Sequence, residues 1–342
     1  MIVLHRLHHV CLRVAALDEA SGRWQRQFGL HEVAREPGRA LLACDDEPYC
    51  LELIEGTPVG CDHVAYELAR DCSLEVARTH LAASGAPLAE HSERLPPATG
   101  PDAADRRLPE QLVGLLTADP DGLPIEILPY QAPASRLTSF TRPAVSPTVG
   151  HPRKLGHVNF LTGQIREQVR FYRDVLGMGL TDWLGEGGAW LHINSDHHVM
   201  ALVNKGYPHL HHLAFDLVDI GQMRAALDHL GRHGRWLGWG PTRHGIGGNI
   251  ASYVRITEEE CFVELYCDME KLERDHEPRT YIDDRYSSNT WGPLPPRSYF
   301  RFDAAAVASE QESLEMLGEP LGPMPVPGPP SWLQSDLVKE KL

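Results

Sequence analysis

Hydrophobic and polar positions alternate in short runs along most of the chain, and the runs are broken by segments of helical period. Leu17–Phe28 (LDEASGRWQRQF), Leu74–Ala83, Gln164–Leu176 (QIREQVRFYRDVL) and Ile220–Leu230 (IGQMRAALDHL) each follow a short alternating stretch. Met223, Leu227 and Leu230 fall at i, i+4 and i+7, the stripe of an amphipathic helix. Further short strands follow the helices, among them Ala189–Asn194, Val199–Asn204, Ile250–Thr257 and Phe262–Cys267. The pattern predicts an α+β chain of four successive βαβββ units.

The pattern also repeats. Leu7-His-His-Val-Cys-Leu12 matches Leu155-Gly-His-Val-Asn-Phe160, and Cys61-Asp-His-Val-Ala-Tyr-Glu-Leu68 matches Leu210-His-His-Leu-Ala-Phe-Asp-Leu217. Leu123-Pro-Ile-Glu-Ile-Leu128 matches Cys261-Phe-Val-Glu-Leu-Tyr266, with the separation shortened by about ten residues. Two homologous halves explain this, the extra residues falling in the Pro- and Asp-rich stretch Leu95–Pro109. The expected organisation is a first domain over 1–135, a Pro-rich linker over 136–152, a second domain over 153–270 and an extension over 271–342. That extension ends in Gly322-Pro-Met-Pro-Val-Pro-Gly-Pro-Pro330 and is expected to wrap on the second domain.

Composition narrows the function. The 342 residues are 42% hydrophobic and carry a formal charge of −15, enough for two globular cores. Lys and Arg are not concentrated anywhere, which argues against a general nucleic-acid binder. No apolar run approaches membrane length, and the start MIVLHRLHHVCLRV is too interrupted for a secretory signal, so a cytoplasmic protein is expected. Seven cysteines, an odd number without a CxxC pair, read as reduced and mostly buried thiols.

Nineteen histidines leave their placement to decide, and the densest cluster is Pro208-His-Leu-His-His-Leu-Ala-Phe-Asp-Leu217. Strand parity puts His212 on one face with Ala214 and Asp216, and His211 with Leu213 and Phe215 on the face a helix would cover. The same parity holds at His63, Ala65 and Glu67, sets His157 with Asn159, and turns Glu264 away from Val263 and Leu265. Two imidazoles and one carboxylate from three strands then face a common interior, the ligand set that leaves positions open on Fe(II). Mn(II) suits the same donors, and Zn(II) is chemically admissible. A lone histidine on such a strand is more often a satisfied core residue than a ligand. Three groups at repeat-equivalent positions reverse that ordering.

These residues resemble the vicinal oxygen chelate superfamily, and within it the two-domain type I extradiol ring-cleavage dioxygenases, over about His5 to Tyr299. The resemblance implies a metal in the second half, on His157, His212 and Glu264, with Fe(II) as cofactor and Mn(II) as the alternative. Asn194-Ser-Asp-His-His-Val-Met-Ala-Leu202 looks like the segment of the family's acid–base histidine, which falls on His198. Gly240-Pro-Thr-Arg-His-Gly245 looks like the segment of its substrate-contacting histidine, His244, and Tyr253 matches the active-site tyrosine. Asn159, Trp190 and Ile246 are the implied substrate contacts. The implied reaction opens a catechol beside its diol with O₂, giving a muconic semialdehyde-type product; the implied assembly is a homo-oligomer, dimer or tetramer.

Departures qualify this. The turn Asp119-Pro-Asp-Gly122 of the first half becomes Glu258-Glu-Glu-Cys261 in the second, a change of turn with unchanged spacing. The first half keeps His9, His63 and Glu126 at the ligand positions, a vestigial or second metal site, whereas the positions of His198 and Tyr253 fall near Cys50 and Leu115. Tyr286-Ser-Ser-Asn289 and Trp239 stand where relatives that bind a carboxylated catechol carry arginines, so an uncharged catechol fits as well. Two rivals use the same fold: a glyoxalase-like lyase or epimerase, which moves a proton without O₂, and a non-catalytic ligand-binding protein.

Overall fold

The computed structural model describes residues 1–44, 47–99, 108–131 and 151–316. Most of the inserted stretch, the linker up to residue 150 and the Pro-rich Gly322–Pro330 lie outside the described residues.

The first half runs β1 (Leu4–Val14), α1 (Leu17–Phe28), β2 (His31–Glu36), β3 (Arg39–Ala43), β4 (Leu51–Glu55), then β5 (Gly60–Leu68), α2 (Leu74–Ser84), β6 (Ala89–Arg94), β7 (Gln111–Ala118) and β8 (Pro124–Leu128). The second repeats it: β9 (Lys154–Thr162), α3 (Ile165–Arg170), β10 (Gly179–Leu184), β11 (Gly188–His192), β12 (Met200–Asn204), then β13 (His209–Asp216), α4 (Ile220–Arg232), β14 (Leu237–Arg243), β15 (Ile250–Ile256) and β16 (Cys261–Cys267). Each half is therefore βαβββ written twice, as the periodicity predicts.

Both halves build one sheet with the same central order. The first reads β2-β3-β4-β1-β5-β8-β7-β6, and the second β14-β15-β16-β13-β9-β12-β11-β10 with one added edge strand, β17 (Arg279–Tyr281). Helix ends follow capping chemistry: the Ser73 side chain accepts from Val76 N ahead of α2, and Asp219 accepts from Gln222 N ahead of α4. The helix predicted over Gln164–Leu176 is broken in type, with a π turn at Phe171–Val175 continuing α3. That turn buries Tyr172, whose hydroxyl donates to Asp119 of the first half over 3.2 Å.

A single apolar core joins the halves. Leu12, Trp24 and Leu53 belong to the same buried cluster as Phe215, Val263 and Leu265, and the Trp24 and Phe215 rings lie 6.2 Å apart. Each half also docks a helix on the turn ahead of the other half's last strand. Arg23 of α1 pairs with Glu258 and Glu259, while Gln168 of α3 donates to Asp121. The altered turn at Glu258–Cys261 thus has a structural reason, since its carboxylates carry inter-domain ion pairs. Glu260 adopts φ 53°, the left-handed geometry that Gly122 supplies at φ 86° in the first half.

Beyond β16 the chain adds β17 alongside β10, a short helix α5 (Arg285–Ser288) and α6 (Ala304–Met316). Tyr299 is buried with Trp239, Tyr253, Phe262 and Tyr266 in an aromatic cluster separate from the main core. All seven cysteines are free, and no helix of the described residues is long and apolar enough to cross a membrane.

Candidate active site

The three central strands β9, β13 and β16 set the geometry by register alone. Ala214 is paired with His157 on one side and with Glu264 on the other, and His212 lies two residues before Ala214 on the same face. His157, His212 and Glu264 consequently converge, all buried, with His157 Nε2 and His212 Nε2 each 3.0 Å from Glu264 Oε2.

The surroundings fix the protons. His211 Nε2 lies 2.9 Å from the Tyr299 carbonyl, so it must donate there, which leaves its Nδ1 as an acceptor. His212 Nδ1, 2.8 Å away, donates to it, and His212 Nε2 is left with a bare lone pair. That Nε2 is buried without a hydrogen-bond partner although a carboxylate oxygen faces it at 3.0 Å. Two acceptors facing each other in the dry interior are what a cation between them would satisfy. Asn249 donates to the other oxygen, Glu264 Oε1, over 2.8 Å and so aims Oε2 at the imidazoles. Burial by itself raises the Glu264 carboxyl, but the facing His157 holds it well below the usual range. Burial also lowers His212, His198 and His244, which favours the neutral forms of these three that can ligate or accept protons.

Around this centre the remaining expected residues come together. Asn159, Trp190, His198, His244, Ile246 and Tyr253 line one cavity of about 180 Å³ with His157, His212 and Glu264. The His198 ring stands 4.2 Å from that of His157, and its Nδ1 is 3.0 Å from His197 Nδ1, which in turn is tied through Nε2 to Asp182 at 2.8 Å. His244 donates from Nδ1 to the Ser288 carbonyl, so its Nε2 accepts from the Tyr253 hydroxyl over 2.7 Å. Trp239 stacks on Tyr253 with ring centres 5.1 Å apart, and Tyr299 and Phe300 close the same wall.

Three expectations need correction. His211 does not lie under a helix: a bulge between Leu210 and His212 turns it against Phe262 and the Tyr299–Phe302 segment. In the first half, Val10 N bonds Cys50 O as Val158 N bonds Val199 O, so the counterpart of His198 is Tyr49 rather than Cys50. Leu116, not Leu115, faces Glu126 as Tyr253 faces Glu264. Asn249 escaped sequence reasoning because it sits in an aperiodic loop; its only trace is its place between His244 and Tyr253.

Fold and site define a two-domain protein of the vicinal oxygen chelate fold, with a two-histidine, one-glutamate cluster in its second half. Residues 154–258 match the Glyoxalase/Bleomycin resistance protein/Dioxygenase superfamily model. The chain is 28% identical over 313 residues to metapyrocatechase 2 of Cupriavidus necator, covering 87% of this chain and 92% of that protein. It is 27% identical to the manganese-dependent 2,3-dihydroxybiphenyl 1,2-dioxygenase of Geobacillus genomosp. 3, covering 72% of this chain and 80% of the relative. Among solved structures it superposes on the Mn(II)-bound glyoxalase from Novosphingobium aromaticivorans (TM-score 0.75, 24% identity, 87% of this chain and 94% of that one). A variant of homoprotocatechuate 2,3-dioxygenase from B. fuscum matches with TM-score 0.74 and 20% identity over 87% of this chain and 81% of that one. The resemblance to extradiol dioxygenases read from the sequence is borne out by these relatives.

Proposed function

We propose that the protein is a metal-dependent extradiol dioxygenase that opens a catechol ring beside its diol with O₂, on Fe(II) held by His157, His212 and Glu264. The observation that carries the reading is the convergence of those ligands with His198, His244 and Tyr253 around one aromatic-walled cavity. A metal held there by His157, His212 and Glu264 would supply Lewis acidity toward the catechol and the means of activating O₂. Mn(II) meets the same donors, in keeping with the manganese named for one relative.

The side chains divide the remaining work. Tyr253, whose hydroxyl burial pushes well above the usual range, stays a neutral donor, and His244 Nε2 is its acceptor. The pair offers one shared proton to a substrate oxygen. His198 presents its ring beside His157 while the Asp182–His197 pair holds its Nδ1, which suits it to carry a proton into the cavity. Trp190, Trp239, Tyr299 and Phe300 give a planar ring apolar walls, and Asn159 and Ile246 line the same cavity.

Oxygen uptake by anaerobically Fe(II)-reconstituted protein, measured over a panel of catechols, is the test. Uptake with a yellow ring-opened product is expected, and its absence with every catechol would sink the proposal. Turnover of a substrate without O₂ would favour a lyase or epimerase. His198→Asn should keep the metal and lower kcat by roughly 10²-fold or more.

A further inference from the structure

The first sheet carries a second cluster of ligating side chains at the place the internal repeat makes equivalent to the centre just described. His9 is paired with Ala65, and Ala65 with Glu126, as His157, Ala214 and Glu264 are in the second sheet. His63, two residues before Ala65, completes the set. His9 Nε2 and His63 Nε2 are 3.1 Å apart, and Glu126 Oε2 lies 3.9 Å from the first and 4.0 Å from the second. A fourth donor has no counterpart in the other half. Glu52 is paired with Cys11 where the second sheet has Ala201 paired with Asn159, and its Oε2 is 3.4 Å from His9 Nε2.

His9 Nε2 and His63 Nε2 can share one proton, which a metal ion would displace. His63 Nδ1 donates to Asp62 Oδ2 over 3.0 Å, the carboxylate–imidazole arrangement that supports a metal-bound histidine. His9 Nδ1 is bonded to His8 Nδ1 at 2.9 Å. Glu52 Oε2 and Glu126 Oε1 are buried without hydrogen-bond partners, on residues only 3% and 1% exposed. Arg39 neutralises Glu52 from its other oxygen, 2.6 Å from Oε1, and also binds Glu93; His91 Nε2 stands 3.3 Å from Glu126 Oε1. Two buried carboxyl groups share one guanidinium and the His91 imidazole, a setting in which a bound cation would compensate the carboxylates.

We infer that His9, His63, Glu126 and Glu52 bind a second divalent transition-metal ion with a structural role. Two imidazoles and two carboxylates form a closed four-donor set that Zn(II), Mn(II) and Fe(II) all accept. The surroundings of the catalytic centre are missing: Tyr49 stands in place of His198, with its ring 4.8 Å from that of His9, and Leu116 in place of Tyr253. The site therefore joins strands β1, β4, β5 and β8 and leaves turnover to the second half.

The test counts metal on the full chain, stripped with chelator and titrated separately with Zn(II), Mn(II) and, anaerobically, Fe(II), with bound ion measured by mass spectrometry after desalting. Two equivalents per chain are expected for at least one ion. His63→Asn and the isosteric Glu52→Gln should each retain one equivalent, still turn over a catechol, and show a Tm that rises less on metal addition than that of the wild type. Glu264→Gln should also retain one equivalent but lose turnover. A single equivalent with all three ions, or two equivalents kept by both His63→Asn and Glu52→Gln, would overturn the inference. The count does not depend on turnover, so a failure of the proposed reaction leaves it standing or falling by itself.

Discussion

His211 sets the state of its neighbour. Because its Nε2 proton goes to the Tyr299 carbonyl, its Nδ1 accepts from His212, and the lone pair of His212 is turned toward Glu264. His211→Phe should keep the aromatic packing against Phe262 and Tyr299 while leaving His212 Nδ1 without an acceptor. Metal affinity is then expected to fall about 10- to 100-fold, measured by chelator competition on protein with an unchanged circular dichroism spectrum. Undiminished affinity would show that the backbone alone orients His212. The same device recurs at His197-His198, where His197 Nε2 is tied to Asp182 and the two Nδ1 atoms lie 3.0 Å apart. Parity along regular strands made His157, His212 and Glu264 legible in the sequence, since alternation decides which face each side chain takes. It failed at His211, where a bulge suspends alternation, and it has nothing to say about Asn249, whose loop has no period.

At the scale of elements, the helices and strands were legible because each is a periodic segment with one buried face. The extension past β16 was legible as a segment covering the second domain but not in its elements, because its order comes from contacts with the mouth of the second sheet rather than from a period of its own. Residues 283–300 of that extension contribute Asp283, Ser287, Ser288, Pro295, Tyr299 and Phe300 to the cavity. One close approach holds it there. A Cβ on Gly245 would sit 1.7 Å from the Tyr286 carbonyl oxygen and 3.0 Å from that of Ser287, both backbone atoms with no rotamer to yield. Gly245→Ala is therefore expected to push the segment off the cavity. Metal content should stay at the wild-type value while kcat/KM drops at least tenfold and proteolysis near residues 283–290 speeds up. Wild-type kinetics in this variant would mean that the segment does not shape the site.

The two halves behave as one body because a common core and reciprocal helix-on-turn contacts join them. The internal repeat predicted the two halves from sequence, but not this docking, since ion pairs such as Arg23 with Glu259 link positions that no local pattern relates. Glu259 gives the docking a pH dependence. Burial pushes its carboxyl up from 4.5 to about 7, with Arg23 opposing but not cancelling the desolvation. A carboxyl raised in the folded state takes up a proton on folding. Its effect on stability is least unfavourable below the unfolded value, and stability falls as pH rises from 4.5 through about 7. At 1.36 kcal/mol per unit the full loss is about 3 kcal/mol. Glu259→Gln cannot ionise, so its urea midpoint should decline less between pH 5 and pH 8 than that of the wild type, whose other titrating groups it shares. Parallel declines in the two proteins would mean that Glu259 stays ionised against Arg23 throughout, and that the inter-domain pair resists pH change rather than responding to it.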